Sequence, residues 1–549
     1  MFIKRNNSKR GGKTYSCVLL VQGERVEVPR PPGRPRKGDK RKSKVVHRTL
    51  ANLSKLPPEL VDLIEQYCQT QRRGQALQVS GEAAQPVVGR AYGPMAGLLA
   101  LAKELGVERA LGSSRQGRLA MFLVLARVLH QGSRLSAVRW AETQAVAETL
   151  GLGRLDEDDL YGALDWLCEE QSRIERALAP GKPNGAVFLY DVTSSYLEGQ
   201  KNELAAAGYN RDGKRYKKQI VVGLLTDERG EPVSVQVYEG NTADPTTVAD
   251  QVHKLARDFE ATEVVLVGDR GMLKAQGRQL LSEQGFRFVT ALTDPQVRKL
   301  LAQGTLQLEL FAETVSEVTS PEGVRYMLRR NPATQKRHQS RRADQLERVR
   351  AKVEARNAYM KKHPRASEET SLKQAEQWLR AYKLQDFVSA SLKGRHVVLE
   401  VCEESQKQAE LLDGCYVVVS DVPVDKASAQ QLWERYGDLQ RVERDFRILK
   451  TGLLEIRPLF LRKAERTRGH ALVSMLALKL VRELERRIKP LELTVKDALE
   501  RLEGVRLVTL ADPKLGLWSL PSRWDKPQQQ VLSVLPTLPP PLLSPRIAA

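Results

Sequence analysis

The chain has 549 residues, enough for about three or four domains, and 41% of them are apolar, ample material for buried cores. Lys and Arg number 88 against 67 Asp and Glu, so the net charge is +21, which points to a polyanionic partner, nucleic acid before membrane, or to a generally basic protein. No apolar run approaches ~20 residues, which excludes a helical membrane span, and the basic N-terminus lacks the apolar stretch of a signal peptide.

Cys17, Cys68, Cys168, Cys402 and Cys415 show no CxxC or Cys/His pairing. That argues against a zinc site and a disulfide framework, and fits a reducing cytosol.

In chain order, residues 13–29 read as a β-hairpin with a turn near Gln22-Gly23-Glu24. Pro29 to Lys44 is Pro- and Gly-rich, with eight Lys/Arg against the single Asp39. It reads as a flexible cationic arm. Its Gly33-Arg34-Pro35-Arg36 resembles the centre of an AT-hook, and Arg34, Arg36 and Lys37 are candidate DNA contacts, as a generic phosphate-binding arm or as a minor-groove reader. A helix is expected over Glu59 to Gln71, opened by Pro57-Pro58, and a polar hinge over Thr70 to Gln85. Residues 1–88 thus form a hairpin, arm and hinge. Residues 89–180 carry four or so short helices punctuated by Gly, a helical DNA-binding domain or a helical adaptor.

The pattern then switches. Strands are expected in Ala186–Tyr190, Tyr216–Leu225, Pro232–Tyr238, Glu263–Gly268 and Phe286–Leu292, with a helix over Thr246–Phe259. Three meandering strands, a helix, a strand ending on an acid, a helix and a strand give an α/β fold: a ribonuclease-H-like mixed-sheet catalytic core, preceded by the helical domain and the basic arm. Its first part covers 181–295. A large insertion covers 296–430, where the α/β pattern breaks off and residues 329–365 carry 13 Lys/Arg against three acids on a long helical stretch. The last part of the core covers 431–490. Residues 491–549 form a C-terminal segment, with a disordered Pro- and Leu-rich tail from Gln528.

Residues 436–450, YGDLQRVERDFRILK, read as one amphipathic helix. Leu439, Val442, Phe446 and Leu449 form its apolar stripe, while Tyr436, Glu443, Arg447 and Lys450 share a polar side. Taken alone, that side reads as a solvated face with an ordinary Glu to Arg pair. Asp191 after the first core strand, Asp269 after the fourth and Glu443 on this helix stand out as three carboxylates. A lone Asp at a strand end is often a turn or helix cap. In a ribonuclease-H-like core, however, the acids would meet at one edge, and clustered carboxylates suit Mg²⁺.

Several phrases resemble the DDE transposases of bacterial insertion sequences: Tyr190-Asp191-Val192-Thr193-Ser194, Gly208 to Lys214 (GYNRDGK), Gly240 to Asp244 (GNTAD), Val267 to Met272 (VGDRGM), Asp413-Gly414, and Tyr436…Glu443…Lys450 followed by Ile456-Arg457-Pro458. Within these they are similar to the IS-four superfamily, in its IS-sixteen-thirty-four-like branch, from about residue 90 to 490. The superfamily's helix signature is Tyr, two residues, Arg, three residues, Glu, six residues, Lys. Leu439 stands at the Arg position here, and Arg447 could supply the missing charge.

The resemblance implies that Asp191, Asp269 and Glu443 are catalytic ligands of two Mg²⁺ ions, for which Mn²⁺ can substitute. It implies DNA contacts by Tyr436, Arg447, Lys450 and Arg270. It further implies double-stranded DNA as partner (transposon ends and target), a homodimer assembled on DNA, no membrane, and a bacterial cytoplasmic, nucleoid-associated location. The reaction would be cleavage at the transposon end to free a 3′-hydroxyl, then joining of that hydroxyl to target DNA. Two other readings stay open: a DNA-binding regulator on a silent transposase fold, and a nuclease that cuts without joining.

Overall fold

The computed structural model describes residues 2–10, 13–27, 43–54, 86–179, 185–199, 201–211, 216–450, 460–512 and 516–540, with single positions or short runs (56, 60–62, 64, 65, 68, 213, 214, 453, 454, 456) between them. The basic arm with Arg34, Arg36 and Lys37, the Pro57-Pro58 opening, the polar hinge, Arg457-Pro458 and the last residues of the tail lie outside the described residues.

The first sheet corrects the expected hairpin. Strand β2 (Lys13–Glu27) runs straight through Gln22-Gly23-Glu24. It pairs antiparallel with β1 (Phe2–Arg10) along its first half and with β3 (Ser43–Asn52) from Leu19 to Glu27. The second ladder takes the backbone hydrogen bonds that a turn would otherwise need, so Gly23 remains an ordinary strand residue opposite His47.

Seven helices follow, more than expected: Gly93–Glu104, Val107–Leu111, Arg115–Leu129, Arg134–Ala141, Val146–Leu150, Glu157–Glu169 and Gln171–Leu178. Three of them stop at glycines of positive φ, Gly106 (φ 76°), Gly112 (φ 79°) and Gly151 (φ 64°). Ser114, Ser133 and Asp156 cap three of their N-termini.

The centre is an eight-stranded mixed sheet. Its strands are β5 (Ala186–Tyr196), β6 (Gln219–Asp227), β7 (Pro232–Glu239), β8 (Val264–Gly268), β9 (Arg287–Ala291), β10 (Ser316–Thr319), β11 (Arg325–Arg330) and β14 (Cys415–Ser420), in the order β10-β11-β14-β9-β8-β5-β6-β7. β5, β6 and β7 form an antiparallel meander, β5, β8 and β9 run parallel, and β14 is antiparallel to β9. The α/β pattern therefore does not stop at Gln296. Three strands from the 296–430 stretch extend the sheet.

Residues 332–401 of that stretch form a small body with its own core of Val349, Val353, Leu379, Phe387 and Val397. It consists of the helices Pro332–Lys362 and Glu368–Ala381 and the hairpin β12 (Val388–Lys393) and β13 (His396–Val401).

Alternation along β5 separates two cores. Val187 and Leu189 face the helical region and the long helix Ala464–Ile488. Phe188, Tyr190 and Val192 face the helix Asp244–Asp258 on the other side. Near the C-terminus, β15 (Arg506–Asp512) pairs with β16 (Gly516–Pro521) and with β4 (Pro86–Ala91), the strand that leads into the helical region. Where a disordered tail was expected, Lys526–Ser533 is helical, capped by Asp525. Among the described residues no helix is long and apolar enough to cross a membrane.

Candidate active site

Two parallel strands set the first two acids side by side. β5 and β8 are in register at Tyr190 opposite Gly268, so the next residue on each is Asp191 and Asp269. Asp269 follows its strand as expected. Asp191 does not: it lies inside β5, which continues to Tyr196. The continuation reads as polar, yet Ser194 and Ser195 are fully buried, and their backbone pairs with β6 at Val221 and Ile220.

The third acid comes from the helix Leu439–Lys450. Its stripe of Leu439, Val442, Phe446 and Leu449 is buried in the same core as Val187 and Leu189. The helix thus packs on the β5 face that carries Asp191, and Glu443 is exposed on its outer side. Tyr436 is not on this helix. The expected single helix breaks at Asp438 into Ala429–Gly437 and Leu439–Lys450. Gly437, a poor helix former, sits at the break.

Electrostatics couple the acids. Burial pushes the Asp191 carboxyl up to about 7, and the charges of Asp269 and Glu443 push the same way. The Val192 N–H, donated to Asp191 Oδ1 at 2.7 Å, and the nearby Arg211 guanidinium pull it back. Asp269 repeats the motif: its Oδ1 accepts the N–H of Arg270 at 2.8 Å and the Tyr436 hydroxyl at 3.0 Å. The Tyr436 phenol is held far above its ordinary value, by burial first and then by Tyr416 and Asp269, so it stays a donor.

Among the described residues no three His, Cys, Asp or Glu side chains are grouped closely enough to hold one ion together. The donor chemistry nonetheless fits a hard cation: Asp191 is an acid whose charge is disfavoured by burial and by two other acids, which bound positive charge would relieve.

The other expected residues are spread around this edge. Arg270 is exposed, with its guanidinium 5.7 Å from the centre of the Tyr416 ring. Arg447 is exposed one turn beyond Glu443, and Lys450 is half-buried. Leu439, at the signature's Arg position, is in the core. Arg441 points away, to Asp438 and to the carbonyl of Glu228.

Two residues near the acids carried no assigned role. Arg211 donates its N–H to Ser194 Oγ at 2.9 Å and its guanidinium to both oxygens of Asp244 at 2.6 Å. Its presence in the GYNRDGK phrase was the one signal for it. Tyr416 donates to the Tyr436 hydroxyl at 3.1 Å. No local pattern in the sequence marks it.

A family model described as the transposase DDE domain matches residues 182–480, more than half of the chain. Among solved structures, a piggyBac transposase synaptic complex with hairpin DNA is similar at 8% identity with a TM-score of 0.37, covering 77% of this chain and 82% of that one. A Mos1 transposase paired-end complex with left transposon end is similar at 14% identity with a TM-score of 0.15, covering 43% and 68%. No curated protein matches the chain.

Proposed function

Because the chain belongs to the transposase DDE domain family, we propose that it moves a DNA element by cutting the element's ends and joining them to a target, with Asp191, Asp269 and Glu443 as its catalytic acids. The observation that carries the proposal is the juxtaposition of Asp191 and Asp269 at adjacent positions of parallel strands, with the charge of Glu443 acting on Asp191. The order β7-β6-β5-β8-β9 supports reading this part of the sheet as a ribonuclease-H-like core. The finer assignment is a bacterial insertion-sequence transposase of the IS-four superfamily, working in the cytoplasm as a homodimer assembled on its terminal inverted repeats.

The three carboxylates would hold two Mg²⁺ ions, or Mn²⁺ in their place. Such ions supply Lewis-acid stabilisation of the attacking and leaving oxygens at phosphorus. The chain's own residues do the rest by positioning. Asp191 and Asp269 each have Oδ1 tied to the N–H of the following residue, which fixes how the carboxylate faces the edge. Arg447 and Lys450, on the helix of Glu443, would hold phosphates beside the acids, and Arg270 would hold the strand beyond them. In the first step water attacks a phosphodiester and the broken bond leaves a 3′-hydroxyl. In the second that 3′-oxygen attacks a target phosphodiester and displaces the neighbouring 3′-oxygen of the target. Neither step needs a covalent protein intermediate.

An assay that offers intact and pre-cut ends with Mg²⁺ tests this reading. Joined product is expected from both. Binding alone would mean a regulator, and cutting without joining would mean a nuclease.

A further inference from the structure

The inference rests on the reading above, in which Asp269 is a metal ligand. We propose that Tyr416 is a positioning residue for Asp269, acting through the hydroxyl of Tyr436, and that the insertion thereby completes the catalytic edge. A phenol carries one proton and accepts at its oxygen. Tyr416 donates to the Tyr436 oxygen at 3.1 Å, and Tyr436 donates to Asp269 Oδ1 at 3.0 Å. With its oxygen occupied as an acceptor, Tyr436 has its single proton turned onto the carboxylate. The relay has one direction. The Arg270 N–H reaches the same Oδ1, so two donors fix the plane of the carboxylate and leave Oδ2 to face a cation. Hydrogen-bond partners of this kind orient a metal ligand, and losing one costs about 10–100-fold in metal affinity or activity.

Tyr416 is itself held firmly. It lies on β14, the strand by which the insertion returns to the sheet, opposite Arg329 of β11. Its ring meets Trp433 edge-on, with centroids 5.9 Å apart at 82°. Trp433 and Tyr436 are three residues apart on the helix Ala429–Gly437, so both turn toward β14. The Arg270 guanidinium also lies 5.7 Å from the ring centre. The ring is therefore packed by neighbours that do not depend on its hydroxyl, and Tyr416→Phe removes the relay while keeping the packing.

The test is a double-mutant cycle in metal binding. Mn²⁺ affinity is measured on the full chain without DNA, by electron paramagnetic resonance of the free ion. Thermal unfolding and the Mg²⁺ midpoint for end cleavage are followed in parallel. Tyr416→Phe and Tyr436→Phe should each weaken Mn²⁺ binding by about 10–100-fold and raise the Mg²⁺ midpoint to match, with little change in the unfolding temperature. The double variant should be no weaker than Tyr436→Phe alone, because the relay is already cut. A Tyr416→Phe protein with wild-type Mn²⁺ affinity, or a double variant whose losses multiply, overturns the relay while leaving the transposase reading intact. A wild-type protein that neither binds Mn²⁺ nor cuts ends overturns both.

Discussion

Arg482 donates to the carboxylate of Asp445 at 2.8 Å and so ties the back of the Glu443 helix to the long helix Ala464–Ile488. Asp445 is almost wholly buried, two residues from Glu443. Arg482 also reaches the carbonyls of Gly230 and Arg229, in the turn between β6 and β7. One guanidinium therefore joins the sheet and two helices behind the acid.

Arg482→Leu should cost about 3 kcal/mol, the low end for a broken buried pair. Burial already holds the Asp445 carboxyl at about 7 despite Arg482, so the stranded group escapes by taking up a proton. Adding Asp445→Leu should recover part of the loss. Urea unfolding of the two single variants and the double variant measures this, and fully additive losses would show that the pair is not coupled.

Glu443→Gln keeps size and polarity but removes the charge. End cleavage and joining should each fall by at least about 100-fold. Affinity for transposon ends should hold or rise slightly, since one repulsive charge beside phosphate is gone. Lys450→Ala should instead weaken end binding while sparing Mn²⁺ affinity. Gel shifts and Mg²⁺-dependent joining of pre-cut ends separate the two, and near-normal joining by Glu443→Gln would remove it as the third acid.

His470 sets an acid limit on stability. It is buried, and its Nδ1 accepts from the Arg134 guanidinium at 2.9 Å. Burial first, then Arg127 and Arg134, hold it well below its ordinary 6.5. The unfolded chain takes up a proton below about pH 6.5 that the folded chain refuses, so stability falls as pH drops from there. His470→Gln should make that decline shallower between pH 7 and 5. It should not abolish it, because His130 is lowered as well, by burial and by Arg127. An unchanged slope in unfolding free energy against pH would show that His470 is not the group responsible.

Changing Arg34, Arg36 and Lys37 to Ala should weaken DNA binding and flatten its dependence on salt, by about one unit of slope for each phosphate that the arm no longer neutralises. A titration of affinity against salt reads this directly, and an unaltered slope means that these three side chains do not touch DNA.

Much of the central sheet was legible because its strands are short apolar runs. Val264–Gly268 is wholly buried, and a run of that kind announces itself locally. The Glu443 helix was legible from its stripe. What could not be read came from partners distant in the chain. The buried Ser194 and Ser195 look like the end of a strand until β6 is laid beside them. β14 looks like a strand of an insertion until it is seen paired to β9, and only that pairing brings Tyr416 to Tyr436. The missed helix Lys526–Ser533 is a different case. Asp525 caps it in a box with Gln528, and a Pro opens its first turn, signals that were present but lay within a Pro- and Leu-rich stretch.

The pairing of β4 with β15 bears on how the protein is made. β4 leaves the ribosome long before its partner β15, several hundred residues further along the chain. At about 5–20 residues per second, that is a delay of tens of seconds. Through that interval Tyr92 and Ala96 lack Val505 and Leu507, the residues that complete their cluster. A nascent chain that has not yet reached β15 therefore carries an open strand edge beside the helical region, and only the emergence of β15 closes it.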